Sequence, residues 1–134
     1  MKHCAIFSIF LLSVVLFSCN KAAGEGGNSS ISGKIYVIDK NTAGDIVSEY
    51  YAMDQDVYII YGDGNSTYND KFSTSLDGSY SFRFLTPGKY TIFAYSKCDT
   101  CLGGQEAITK IVEITGKKQD LKVEDLIIFE WESF

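Results

Sequence analysis

Ser79-Tyr80-Ser81-Phe82-Arg83-Phe84 alternates polar and aromatic residues without a break. Successive side chains of an extended chain point to opposite faces. Tyr80, Phe82 and Phe84 are therefore expected on one face, and Ser79, Ser81 and Arg83 on the other. The same period of two recurs on both sides of this stretch. Ile31, Gly33, Ile35 and Val37 share a face, as do Val57, Ile59 and Tyr61, and later Tyr90, Ile92 and Ala94. Further apolar strands are expected near Ala107–Thr115 and Leu121–Trp131.

Turn signals punctuate these runs: Gly62-Asp63-Gly64-Asn65, Asp77-Gly78, Pro87-Gly88, Gly103-Gly104 and Gly116. Asp77-Gly78, between two alternating runs, predicts a hairpin. Asp45–Met53 alone has helical spacing, with Ile46, Val47, Tyr50 and Tyr51 in register, and is too short to stand without packing. Short strands without crossover helices imply an all-β fold, an antiparallel two-sheet β-sandwich of about seven strands. There is no internal repeat and no second domain.

These residues carry a resemblance. Ser32-Gly33-Lys34-Ile35-Tyr36-Val37 is followed by Asp56-Val57-Tyr58-Ile59-Ile60, then Thr74-Ser75-Leu76-Asp77-Gly78-Ser79-Tyr80-Ser81-Phe82, then Leu85-Thr86-Pro87-Gly88-Lys89-Tyr90-Thr91-Ile92. The order resembles the carboxypeptidase regulatory-like and collagen-adhesin B-type domains over residues 31–97. That resemblance implies a prealbumin-like sandwich of a kind used as a non-catalytic accessory, spacer or binding module. The longer connection Asn41–Gln55 departs from the pattern.

The chain starts with one basic residue before the greasy run, Lys2, followed by the apolar run Ala5–Phe17. Thirteen residues are too few for a membrane-spanning helix, which needs about 20, and suit a secretory signal. Leu16-Phe17-Ser18-Cys19 resembles the lipobox of bacterial lipoproteins, which implies cleavage before Cys19 and lipid on its sulfur. The expected organisation is a signal peptide at 1–18, lipidated Cys19 with a tether at 19–30, and a β-sandwich at 31–134. Asn20–Ser30 has no large apolar residue and reads as a flexible tether reaching about 18 Å. Asn20 in place of an aspartate points to the outer membrane of the cell envelope. A cluster of acids that would export the protein to the surface is missing, with Glu25 alone there.

The mature chain would keep 134 − 18 = 116 residues, one small domain. Loss of Lys2 takes the formal charge from −5 to −6. An acidic chain with scattered cations lacks the phosphate contacts of nucleic-acid binders. Cleavage also removes His3, the only histidine. Ser-His-Asp and Cys-His chemistry and histidine-ligated zinc are then excluded. No catalytic residue, metal or other cofactor is expected.

Within the domain, Cys98-Asp99-Thr100-Cys101 reads as a local disulfide. Redox chemistry would want a helix after the first thiolate, and Leu102-Gly103-Gly104 follows instead. A zinc site would want two further ligands. Asp63–Asp70 departs from a calcium loop, with Tyr68 and Thr74 where that loop needs glycine and an acid, and reads as a hairpin loop. Lys34, opposite in face to Ile35 and Val37, is wrongly placed for the core isopeptide bond of some collagen-adhesin domains.

Tyr58, Phe93 and Tyr95 are predicted to face outward, with Tyr50 and Tyr51 as further candidates, and could stack on a sugar or anchor a protein. Carboxylate pairs such as Asp54/Asp56 and Glu124/Asp125 suggest no cleft for glycoside hydrolysis. The resulting reading is a lipid-anchored, non-catalytic accessory or interaction module of the envelope. The alternatives are a glycan-binding surface lipoprotein and a subunit of an adhesive or pilus-like assembly.

Overall fold

The computed structural model describes residues 22–62 and 67–131. The signal, Cys19 and residues 63–66 of the calcium-like loop lie outside the described residues. Two sheets pack face to face. The first is organised by one long strand, β1 (Glu25–Lys40). Its first half pairs antiparallel with β5 (Ser79–Leu85) and parallel with β8 (Asp120–Lys122). Its second half pairs antiparallel with β2 (Ile46–Tyr51) and parallel with β9 (Leu126–Trp131). The second sheet is wholly antiparallel, in the order β4 (Asp70–Ser73), β3 (Asp56–Tyr61), β6 (Gly88–Lys97), β7 (Gln105–Ile114).

The period-two reading places the core. Ile31, Ile35 and Val37 of β1, Val57 and Ile59 of β3, Tyr80 and Phe82 of β5, and Tyr90, Ile92 and Ala94 of β6 are buried together with Leu126 and Ile128 of β9. Each large side chain removed from water contributes about 1.5–3 kcal/mol. Gly33 belongs to this face because a Cβ there would lie 2.5 Å from the Tyr80 hydroxyl and 2.7 Å from its ring. Only a glycine lets the Tyr80 ring cross β1.

Several expectations are corrected. The described residues hold nine strands, two more than about seven, and β8 and β9 run parallel to β1. Glu25–Ser30, expected to belong to a tether, form the start of β1 instead. Tyr61 donates to the Glu25 carboxylate at 3.0 Å. The Thr86 hydroxyl donates to the Ala22 carbonyl at 2.9 Å, and the Gly24 amide donates to the Tyr90 hydroxyl at 2.9 Å. Glycine and serine satisfy a strand when a neighbouring edge offers backbone partners, which composition does not reveal. Asp45–Met53 is not helical. Its centre is β2, an exposed edge strand whose tyrosines lie along β1.

Asp77-Gly78 makes a tight turn, with the Gly78 amide donating to the Ser75 carbonyl and that of Ser75 to the Ser79 carbonyl, both at 2.9 Å. It does not join paired strands. The strand before it, β4, belongs to the second sheet and the strand after it, β5, to the first. Gly78 sits at φ +75°, and a Cβ there would lie 2.8 Å from that of Tyr51.

The alternation of β5 holds through Phe82 and then reverses. Ile31 pairs with Phe82 and Ser29 with Leu85, so two residues, Arg83 and Phe84, face the single Ser30. This is a β-bulge. Phe84 takes φ +59° and is 70% exposed, while Leu85 enters the core in its place at 2%.

Candidate functional site

Tyr58, Phe93 and Tyr95 come together on the outer face of the second sheet. Register decides this: Tyr58 lies directly across from Phe93 on the β3–β6 ladder, and Tyr95 is two residues along the same face of β6. The Tyr58 and Phe93 rings stack with centroids 5.0 Å apart and planes 17° from parallel. Tyr95 meets both edge-on, 5.7 Å from Tyr58 and 5.6 Å from Phe93. Tyr68, which no alternation pattern singles out, also packs against Tyr58, at 4.7 Å.

The three predicted aromatics do not share one role. Phe93 is 8% exposed and is not a surface ring. Its neighbours cover it, so it supports the cluster. Tyr95 and Tyr68, at 43% and 46%, present the accessible aromatic surface, with Tyr58 half-buried between them. Tyr50 and Tyr51 lie elsewhere, on β2 of the first sheet; the Tyr51 hydroxyl donates to Asp125 at 3.1 Å.

Beside the rings is an open depression of about 620 Å³. Tyr58 and Tyr95 form its aromatic side. Asp54, Gln55 and Asp56, together with Gln105 and Glu130, form its polar side. Asp54 and Gln55 come from the turn into β3, where Asp54 adopts φ +58°, a conformation that aspartate tolerates better than most residues. Gln105 opens β7 opposite Lys97.

Two of these carboxylates, Asp56 and Glu130, are held by cations. Lys71 Nζ is 2.9 Å from Asp56, and the Ser73 hydroxyl donates to the same carboxylate at 2.8 Å. These hydrogen bonds, Lys71 first, keep the Asp56 pKa below its usual value. Lys97 pairs with Glu130 at 2.8 Å and is itself raised by that bond. Partial burial, and next the charge of Asp56, raise the Tyr58 phenol. Tyr58 therefore stays a neutral hydrogen-bonding ring at physiological pH. Glu124, by contrast, lies away from this depression in an ion pair with Lys110.

Cys98 and Cys101 are joined as a disulfide. It closes the β6–β7 connection, where the Cys101 amide donates to the Cys98 carbonyl and a single 3-10 turn, Leu102–Gly104, follows. Glu106 lies close enough to join the two sulfurs in a three-ligand cluster, but bonded sulfurs do not ligate a metal as thiolates do. Lys34 points outward to Asp77 at 3.2 Å, away from the core.

No protein-family model and no curated protein matches the chain. Among solved structures, a candidate carbohydrate-binding protein of Pseudomonas aeruginosa superimposes with a TM-score of 0.50. It is 16% identical and the match covers 81% of this chain and 92% of that one. (S)-allantoin synthase is similar at a TM-score of 0.42, with 14% identity over 81% of this chain and 43% of that one. The first likeness supports the all-β sandwich.

Proposed function

We propose that this chain is a non-catalytic glycan-binding module, held on the cell envelope by lipid on Cys19, and that Tyr58 and Tyr95 stack on a neutral saccharide. The observation that carries this reading is the adjacency of an accessible ring pair to carboxylates and primary amides in one depression. An aromatic ring packs against the apolar C–H face of a pyranose. Carboxylate and amide groups at its margin hydrogen-bond the hydroxyls and fix orientation.

Binding is favoured over hydrolysis. A glycosidase needs one carboxylic acid with a raised pKa, and here Asp56 is lowered and Glu130 is ion-paired. Of the five charges, Asp54, Asp56 and Glu130 outweigh Lys71 and Lys97 by one, which disfavours acidic sugars at this place. The Pseudomonas neighbour's description names the same ligand class, although at 16% identity it supports the fold and not the site.

Calorimetric titration of the purified chain with neutral gluco-, xylo- and manno-oligosaccharides tests the reading. Binding by wild type that Tyr95→Ala weakens roughly tenfold or more supports it; binding indifferent to Tyr58 and Tyr95, or absent across the panel, overturns it. The anchor is tested separately by Cys19→Ala, which should release the protein from the membrane fraction.

A further inference from the structure

Among the described residues, the bulge in β5 is the one place where backbone strain exposes a large apolar side chain. A phenylalanine at φ +59° is costly, and such conformations persist where the surroundings over-determine them, often at ligand sites. Bulges are also devices for re-aiming a side chain. Here the bulge turns Phe84 out of the core and sets it beside Arg83, both facing the Ser30 side of β1. From these residues we infer a second binding site, on the first sheet and separate from Tyr58 and Tyr95, that takes an acidic saccharide.

The surroundings of the pair define that ligand class. Arg83 and Phe84 border a broad groove of about 1040 Å³ floored by hydroxyls, those of Ser30 and Ser32 from β1 and Ser79 and Ser81 from β5. Lys118, in the turn before β8, lies along the same groove. Among the described residues neither Arg83 nor Lys118 forms an ion pair; the cations that do are Lys34, Lys71, Lys97 and Lys110. The one acid in the groove, Asp120, accepts a hydrogen bond from Ser30 at 2.6 Å. Two cations against one carboxylate leave one net positive charge, on a chain whose formal charge is −5.

Each part matches a part of the ligand. The guanidinium of Arg83 presents a fork that fits a carboxylate or a sulfate ester in a bidentate manner. The Phe84 ring offers a stacking surface for the apolar face of the sugar. The serine floor supplies donors and acceptors for ring hydroxyls. A bare anion would use Arg83 and Lys118 and have no need of an exposed phenylalanine. The combination calls for a ring that carries charge.

The test is titration of the full chain with oligoguluronate as a carboxylated saccharide and with a sulfated oligosaccharide, polyglutamate serving as an anionic polymer without sugar. Wild type should bind at least one saccharide and bind polyglutamate at least about tenfold more weakly. Preference for the carboxylated or the sulfated sample identifies the charged group. Arg83→Gln and Phe84→Gly should each weaken saccharide binding roughly tenfold or more. Phe84→Gly should do so with an unchanged or higher thermal midpoint, since glycine accepts positive φ. Tyr95→Ala should leave acidic-saccharide binding intact, so failure here is distinguishable from failure at the neutral-glycan site. Equal binding of polyglutamate, no binding of either saccharide, or a Phe84→Gly variant that binds as wild type would each overturn the proposal.

Discussion

Tyr58 and Phe93 stand opposite each other across the β3–β6 ladder with their rings 5.0 Å apart and nearly parallel. The pair makes one mechanical unit of two strands, and Tyr95 and Tyr68 lean on it. Phe93→Ala should therefore act through stability. Urea denaturation should show a loss of about 3 kcal/mol, the lower end for a buried phenylalanine, because the cavity opens toward solvent. Tyr95→Ala, on a more exposed ring, should cost about 1 kcal/mol or less.

Phe82 and Phe84 should behave in opposite ways although only Arg83 separates them. Phe82 is buried against Tyr80 and Phe72, so Phe82→Ala should cost about 3–5 kcal/mol in chemical denaturation. Phe84→Gly removes an exposed ring at a strained position and should raise stability by about 1 kcal/mol. A loss at Phe84 comparable with that at Phe82 would mean that both rings belong to the core.

The Cys98–Cys101 bridge closes a very short loop, so its effect on the unfolded chain is small. The double change to serine should lower stability by about 1–2 kcal/mol and leave the fold intact. Far-ultraviolet spectra of the two proteins should superimpose, and thiol titration of the unreduced wild type should find neither cysteine free.

Acid stability should depend on Asp77. The Ser79 side-chain and backbone hydrogen bonds, followed by Lys34, bring its pKa down from 3.8 to about 2. A carboxyl depressed in the folded state stabilises fully above the unfolded pKa and loses that contribution as pH falls through the folded one. The window is therefore pH 3.8 down to about 2. Asp77→Asn should flatten the stability profile within that window, read as thermal midpoint against pH.

Much of this was legible in the residues, because a half-buried strand writes its two faces into the sequence. Ile31, Ile35 and Val37, and again Tyr90, Ile92 and Ala94, sit in the core as their spacing requires. What spacing cannot show is pairing. Glu25–Ser30 looks like a linker and is a strand because the end of β5 lies beside it. Asp77-Gly78 looks like a hairpin and is a passage between sheets. The bulge at Arg83-Phe84 breaks the alternation through backbone geometry, with no glycine to announce it. The site divides in the same way. Tyr58, Phe93 and Tyr95 share a parity that names them, whereas Gln55, Gln105 and Glu130 reach the depression, and Tyr68 reaches the Tyr58 ring, from connections and strand ends whose positions only the fold sets.

The most direct test of glycan binding at this face is a backbone amide chemical-shift map of the labelled protein titrated with the neutral oligosaccharide that binds it best. Saturable shifts should concentrate at Asp54–Tyr58, around Tyr95 and at Gln105, with little change along β5. Shifts confined to β2, or spread evenly over the sandwich without saturating, would contradict the assignment.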